Sequence, residues 1–226
     1  MASEVDICNL ALSFLGDDAS VSSISPPEGS AQAEHCSRFY PIARDGLLNI
    51  HNWNFASRRV LLAQVTNTSN QWRYAYALPA DVMTIVAVIS SDAQDDYSVA
   101  YWPSDRPEWM MNYSPVLAAG QYVPQRYALE IDSAGSRVLY ANIDNALLRY
   151  QARVDDTAQF PPLFVHALAW HLASMLAGPV MKGDAGAKMG MSALQQMSLY
   201  LQQAKNADSM QRDSRPEHIV GWMSGR

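Results

Sequence analysis

The sequence predicts an α+β fold: a helical bundle built from N- and C-terminal helices, with a small antiparallel β domain inserted between them. Three observations carry that prediction. Apolar residues recur at spacings of three and four over residues 1–50. The period then falls to two over short runs between Arg58 and Val154. After Pro161-Pro162 a stretch follows that is apolar on almost every helical face, Leu163 to Ala177.

The first helix opens at Ser3, an N-cap with Asp6 three residues on. Ile7, Leu10, Ala11 and Phe14 make its stripe, and Gly16 supplies the stop. A Ser-rich loop follows, anchored by Val21 and Ile24, and Ser25, Pro26 and Glu28 resemble another helix start. The second helix spans Ala31 to Ile50, with Ala33, Cys36, Tyr40, Ala43, Leu47 and Ile50 on one face. Pro41 sits inside it, which predicts a kink or a broken turn. The stretch Arg44 to Arg59 closes the helix with Trp53 and Phe55 two apart, interleaved with Asn52 and Asn54. That change of period reads as a packed joint between a helical part and a β part.

Strand-length runs come next. Val60–Val65 is one; Trp72, Tyr74, Tyr76 and Leu78 alternate with smaller or polar residues in a second; Val82–Ile89 is a β-branched run that predicts a buried strand. Tyr97, Val99 and Tyr101 alternate again, and Pro103–Gly120 predicts a long surface loop. Arg126–Ile131, Arg137–Ile143 and Leu147–Val154 complete the set, with a turn at Ser133-Ala134-Gly135. Helix returns at Leu163–Ala177 and stops at Gly178-Pro179. A Gly-rich connection then leads to a last helix over Asp184–Ala207, with Leu194, Met197, Leu201 and Ala204 as its stripe. Its other faces carry Gln195, Gln196, Gln202 and Gln203; these suit either a solvated face or a subunit interface, where amides pair without the cost of burying charge. The domain boundaries are therefore placed at 1–57 with 160–208 for the helical domain, 58–159 for the β insertion and 209–226 for an extended tail.

Composition narrows the function. The chain has 226 residues, of which 17% are charged, with a net charge of -6. That charged share is below the ~25% of an average domain, and with 11 Met and 11 Tyr it fits equally a surface partly covered by partners and a well-packed monomer. The acidic balance argues against general nucleic-acid binding, which needs clustered Lys and Arg. It is compatible with a wall past which DNA slides. Cys8 and Cys36 are far apart in sequence, lie on apolar helix faces and read as reduced core thiols. No basic region followed by an apolar run opens the chain, so no signal peptide is expected. Leu163–Ala177 falls short of the ~20 residues a membrane span needs, so no membrane role is expected either.

Motifs of chemistry are not found. His166 and His171 are five apart, about 500° of helical rotation, and share no face. Asp95-Asp96 and Asp155-Asp156 sit in expected turns and read as solvated acids. Gly183, Gly186 and Gly190 do not follow a strand with phosphate-loop spacing and read as a flexible connection. The expectation is a non-enzyme without catalytic residues, cofactor or metal.

Four runs occur in order: ICNLALSFLG, RDGLLNIHNWNFA, YAYALPADV and YQARVDDTAQFPPLFVHALAWHLASMLAGP. Together they resemble the tail tubular protein A family of podophages and prophages, the head–tail adaptors, over residues 5–182. The resemblance implies a structural virion protein, made in the host cytoplasm, that forms a ring of twelve copies. Such a ring sits between the portal protein and a tubular protein B-like tail nozzle, sometimes with tail fibres attached. DNA crosses its lumen without specific binding. It also implies that Trp53 and Phe55 lock the helical part to the sheet, and that Leu163, Leu168, Trp170 and Leu172 build the helical core. Arg215, Ile219 and Trp222 lie beyond the resemblance; their apolar character in an aperiodic end suggests contact with the portal or a neighbouring subunit. The alternatives are a tail-associated peptidoglycan hydrolase, or a stopper or tail-terminator ring.

Overall fold

Ser3 caps the first helix as its sequence predicts. In the computed structural model, which describes residues 2–91, 125–132 and 135–211, the Ser3 hydroxyl accepts from Asp6 N–H and the Asp6 carboxylate accepts from Ser3 N–H. This closed capping box starts α1 (Glu4–Phe14). Gly16, at φ +74°, ends it, and the amides of Gly16 and Asp17 donate back to Ser13 and Leu12. The buried face is Ile7, Cys8, Ala11 and Leu12, rotated from the predicted stripe, so Leu10 and Phe14 are only half-buried. Asn9 accepts from and donates to the backbone of Val21, which pins the Ser-rich loop to α1.

α2 (Ala31–Ile50) starts from Ser30, whose hydroxyl accepts from Ala33 N–H. The expected start at Ser25-Pro26 is not used. Glu28 instead braces the loop, accepting from Ser22 N–H and from the Ser30 hydroxyl. The helix continues through Pro41 rather than breaking there. All predicted stripe residues are buried except Ile50, which is exposed.

α3 (Pro162–Met181) starts with Pro162 at its first position, where a missing N–H costs nothing. It does not stop at Gly178-Pro179: Pro179 falls in the last turn, and the helix closes at Lys182, whose N–H donates to Gly178 O. Lys182 has φ 56° and ψ 162°, and Gly183 is also left-handed at φ +59°. Few non-glycine residues adopt that backbone, and it stores of order 1–3 kcal/mol of strain at Lys182. In return the chain reverses at once into α4 (Gly183–Ser209). The predicted Gly-rich loop is thus the first turns of a helix. At 20 residues α3 is long and apolar enough for a membrane span, but it is packed by α1, α2 and α4 and its buried residues form the centre of the bundle.

The β elements are β1 (Ser57–Leu61), β2 (Gln64–Val65), β3 (Tyr74–Ala77), β4 (Val82–Ser90), β5 (Tyr127–Ile131), β6 (Arg137–Ala141) and β7 (Ala146–Ala152). They form two small antiparallel sheets, ordered β1-β7-β4 and β2-β3-β6-β5. The predicted Val60–Val65 strand is therefore two strands, because the chain changes sheets at Leu62-Ala63. Leu62 N–H donates to Ala146 O in one sheet, and Ala63 O accepts from Ala77 N–H in the other. The registers Ala75↔Tyr140 and Ala128↔Tyr140 put Ala75, Val138, Tyr140 and Ala128 on one face, where they pack with Trp72. Tyr76, on the opposite face, is buried too and donates to Ile143 O at 2.6 Å. A simple one-sided alternation does not describe β3. Gly135, at φ +81°, holds the β5–β6 turn. Ser133 and Ala134 lie outside the described residues, as do Asp95-Asp96, the Tyr97–Tyr101 run and Pro103–Gly120.

The fold is α+β, with two contact units. One is Met1–Ser57 with Gln151–Arg212; the other is Arg58–Tyr150. The return to the helical unit falls at Gln151 rather than at residue 160, because the residues after it bond within that unit. Ala152 N–H donates to Ala56 O, and Asp155 pairs with Arg44.

Candidate functional site

The residues that close α2 are held by hydrogen bonds, ion pairs and ring contacts within the helical unit. Trp53 is 1% exposed and sits in irregular backbone, not in a strand. Its indole N–H donates to Leu47 O at 2.9 Å. Leu47 lies in the last turn of α2, where carbonyls lack a helical partner, so the indole satisfies a group the helix leaves orphaned. The ring meets Phe164 edge-on at 5.1 Å and His51 at 4.8 Å. Phe55 packs on Phe160 and Phe164. Trp53 and Phe55 touch one another, and the partners found for them are aromatics at the start of α3 rather than residues of a strand.

Asp208, near the end of α4, is the least expected member. It is buried at a helix C-terminus, where the dipole disfavours a carboxylate. The joint supplies the compensation. Asn54 N–H donates to Asp208 Oδ1 at 3.0 Å, Asn54 Nδ2 donates to the Asp208 carbonyl at 2.6 Å, and His51 Nε2 lies 3.3 Å from Oδ2. No local signal in the sequence marks Asp208, since its partners His51 and Asn54 are far away along the chain. Asp208→Ala should destabilise the protein by about 1–3 kcal/mol, since it removes the buried carboxylate that accepts from the Asn54 N–H. Asp208→Asn, which keeps an acceptor, should lose less. Urea unfolding followed by circular dichroism measures both, and an Ala variant as stable as the parent would refute the clamp.

A second tie lies on the other side of the joint. Arg44 is 3% exposed; its Nε donates to Asp45 at 2.8 Å and its Nη1 to Asp155 at 2.7 Å. Arg153 Nε donates to Asp155 at 3.2 Å and forms an ion pair with Asp45 at 3.7 Å. The guanidinium lies over the Tyr40 ring, whose phenol is pushed well above its ordinary range, first by burial. The two acids of Asp155-Asp156 divide their work. Asp155 joins this network, and Asp156 caps the 3₁₀ turn Thr157–Gln159 through Ala158 N–H.

Of the predicted core set, Leu168 and Leu172 are fully buried. Leu163 and Trp170 are only half-buried, and Trp170 stacks on Phe14 with centroids 4.0 Å apart. Phe164, missed in that set, is the ring at its centre. His171 is drawn into the core, with Nδ1 3.3 Å from Ala43 O, and burial lowers its pKa. His166 is exposed and stacks on Tyr200. Arg215, Ile219 and Trp222 lie outside the described residues. On α4 the buried line is Gly186, Ala193, Leu201, Ala204 and Asp208. Leu194, expected inside, is exposed with Met191 and Leu199. Between Met189 and Ala204 that helix carries no charged residue on any face. Among the described residues no group of three His, Cys, Asp or Glu is placed to hold a metal ion. Comparison with protein-family models and with curated proteins gives no match for the chain.

Proposed function

We propose that this chain is the structural subunit of a podophage-type head–tail adaptor: a twelve-copy ring between portal and tail nozzle, lining part of the DNA ejection channel in the virion neck. The reading rests on the four ordered sequence runs. The observation that supports it most is the outer face of α4, where Met191, Leu194 and Leu199 are exposed among glutamines on a helix surface free of charge. Apolar residues with amides and no charge are the composition of a surface that a neighbouring subunit covers. The helical unit would supply the ring packing, and the β unit the contact with nozzle or fibres.

The purified protein should sediment as a small species alone and assemble into twelve-fold rings when portal rings of the same phage or prophage are added. Electron microscopy of the mixture reads the symmetry. Met191→Glu with Leu194→Glu should abolish ring formation while leaving the melting temperature near that of the parent, because both side chains are exposed in the subunit. A monomer indifferent to portal rings would overturn the assignment, and a cleared band on a peptidoglycan zymogram would replace it with a hydrolase.

A further inference from the structure

Sheet edges invite pairing unless they are short, charged or covered. β2 is only two residues long, β1 carries Arg58 and Arg59, and on β4 the Val88 carbonyl accepts from Gln125 N–H. β5 is different. It is five residues long, holds neither Lys nor Pro, and among the described residues pairs only with β6. Its register, Leu129↔Leu139, puts Tyr127, Leu129 and Ile131 on one face and its one charge, Glu130, on the other. The first face continues a buried layer. Tyr76, Leu139 and Ala141 are at most 1% exposed there, whereas Tyr127, Leu129 and Ile131 are 38%, 44% and 73% exposed. An apolar layer thus runs off the edge of the sheet.

We propose that β5 is a self-pairing edge, through which two copies of this chain join antiparallel and merge their four-stranded sheets into one. The residues of the strand select direction and register. With Leu129 opposite Leu129 of the second copy, Tyr127 stands opposite Ile131 and Arg126 opposite Asp132, each pair occurring twice by symmetry. Tyr opposite Ile is an aromatic–β-branched pair of the kind that stabilises sheets, and Arg opposite Asp pairs opposite charges. Parallel in-register pairing would instead set Arg126, Glu130 and Asp132 each against its own like charge. Asp132 Oδ1 accepts from Ser136 N–H, which holds the carboxylate at the end of the strand without removing its charge. Each copy has one such edge, so pairing closes at two copies rather than growing into fibres. A five-residue strand makes a small interface, so the dimer forms in a concentration-dependent way.

Sedimentation equilibrium of the full chain, from micromolar to near-millimolar concentration, should show monomer and dimer in exchange. Leu129→Lys changes an exposed side chain and sets like charges opposite one another. It should raise the dissociation constant at least about tenfold and leave the melting curve by circular dichroism unchanged. Met191→Glu with Leu194→Glu should leave the dimer intact. Introduced cysteines read the register under oxidised glutathione. Directly opposite residues lie about 4.5–5.5 Å apart at Cα, within disulfide reach, whereas a residue two positions from the axis is more than about 7 Å from its own copy. Leu129→Cys should therefore cross-link to itself. Tyr127→Cys alone and Ile131→Cys alone should not, but an equimolar mixture of the two should give the mixed dimer. Peptide mapping separates these disulfides from Cys8 and Cys36, which are buried. A chain monomeric at every concentration, a dimer lost in the α4 variant but kept in Leu129→Lys, or Tyr127→Cys cross-linking to itself would each overturn the proposal. A failure of portal-dependent ring assembly leaves this dimer standing, because it uses the β5 edge and not the outer face of α4.

Discussion

Trp53→Ala should lower the free energy of unfolding by about 3–5 kcal/mol, the range for removing a large buried aromatic. Two losses add. The first is volume: the indole is buried against Phe164 and His51, at the end of a chain of rings that continues to Phe55 and Phe160. The second is polar, since the indole N–H satisfies the Leu47 carbonyl in the last turn of α2. Trp53→Phe separates them. It keeps most of the ring and loses the donor, so it should cost about 1–2 kcal/mol, near the worth of one buried hydrogen bond. Urea titration followed by far-ultraviolet circular dichroism reads both, without relying on a fluorescence signal shared among six tryptophans. A loss under about 1 kcal/mol for the Ala variant would mean the site collapses freely, contrary to the ring geometry.

Much of this arrangement was legible because local signals and tertiary packing agree where the chain is regular. The capping box at Ser3, the range of α2 and the strands around Val82 and Arg137 all follow from spacing and turn chemistry. The misread stretches at Pro41, Gly178-Pro179 and Gly183–Gly190 share one cause: residues that break helices in isolation were tolerated where packing outweighed propensity. Pro41 and Pro179 each remove a single backbone donor from helices held on several sides. Gly186 and Gly190 read as loop because glycine lowers helix propensity, a cost of about 1 kcal/mol per residue. That scale does not register the approach of another backbone. The sheet change at Leu62-Ala63 was illegible for a related reason, since alternation reports which face a residue takes but not which sheet it joins. At the joint, Trp53 and Phe55 stood out by their spacing. Asp208 did not, because its partners His51 and Asn54 lie more than 150 residues away.

Gly186→Leu should destabilise the protein by about 3 kcal/mol, at the upper end for overpacking. A Cβ at Gly186 would lie 2.7 Å from Ala177 O and 3.3 Å from Ala177 C. Both are α3 backbone atoms that cannot rotate away, so α3 and α4 must move apart. Gly190 is less tight, its nearest neighbour being Ser174 O at 3.3 Å. Alanine scanning of glycine gives the sharper comparison. Gly178, in the last turns of α3, has nothing within 4 Å of an added Cβ, so Gly178→Ala should stabilise by about 0.5–1 kcal/mol through chain entropy. Gly186→Ala gains the same entropy but meets the carbonyl, and should destabilise by about 1–3 kcal/mol. The same chemical change, eight residues apart, should therefore change sign. If both variants stabilise, α3 and α4 are not in backbone contact and the hairpin packing is wrong. If both destabilise, the space beside Gly178 is filled. The strained turn at Lys182 then acquires its reason: a two-residue reversal is what brings Gly186 against Ala177 at this distance.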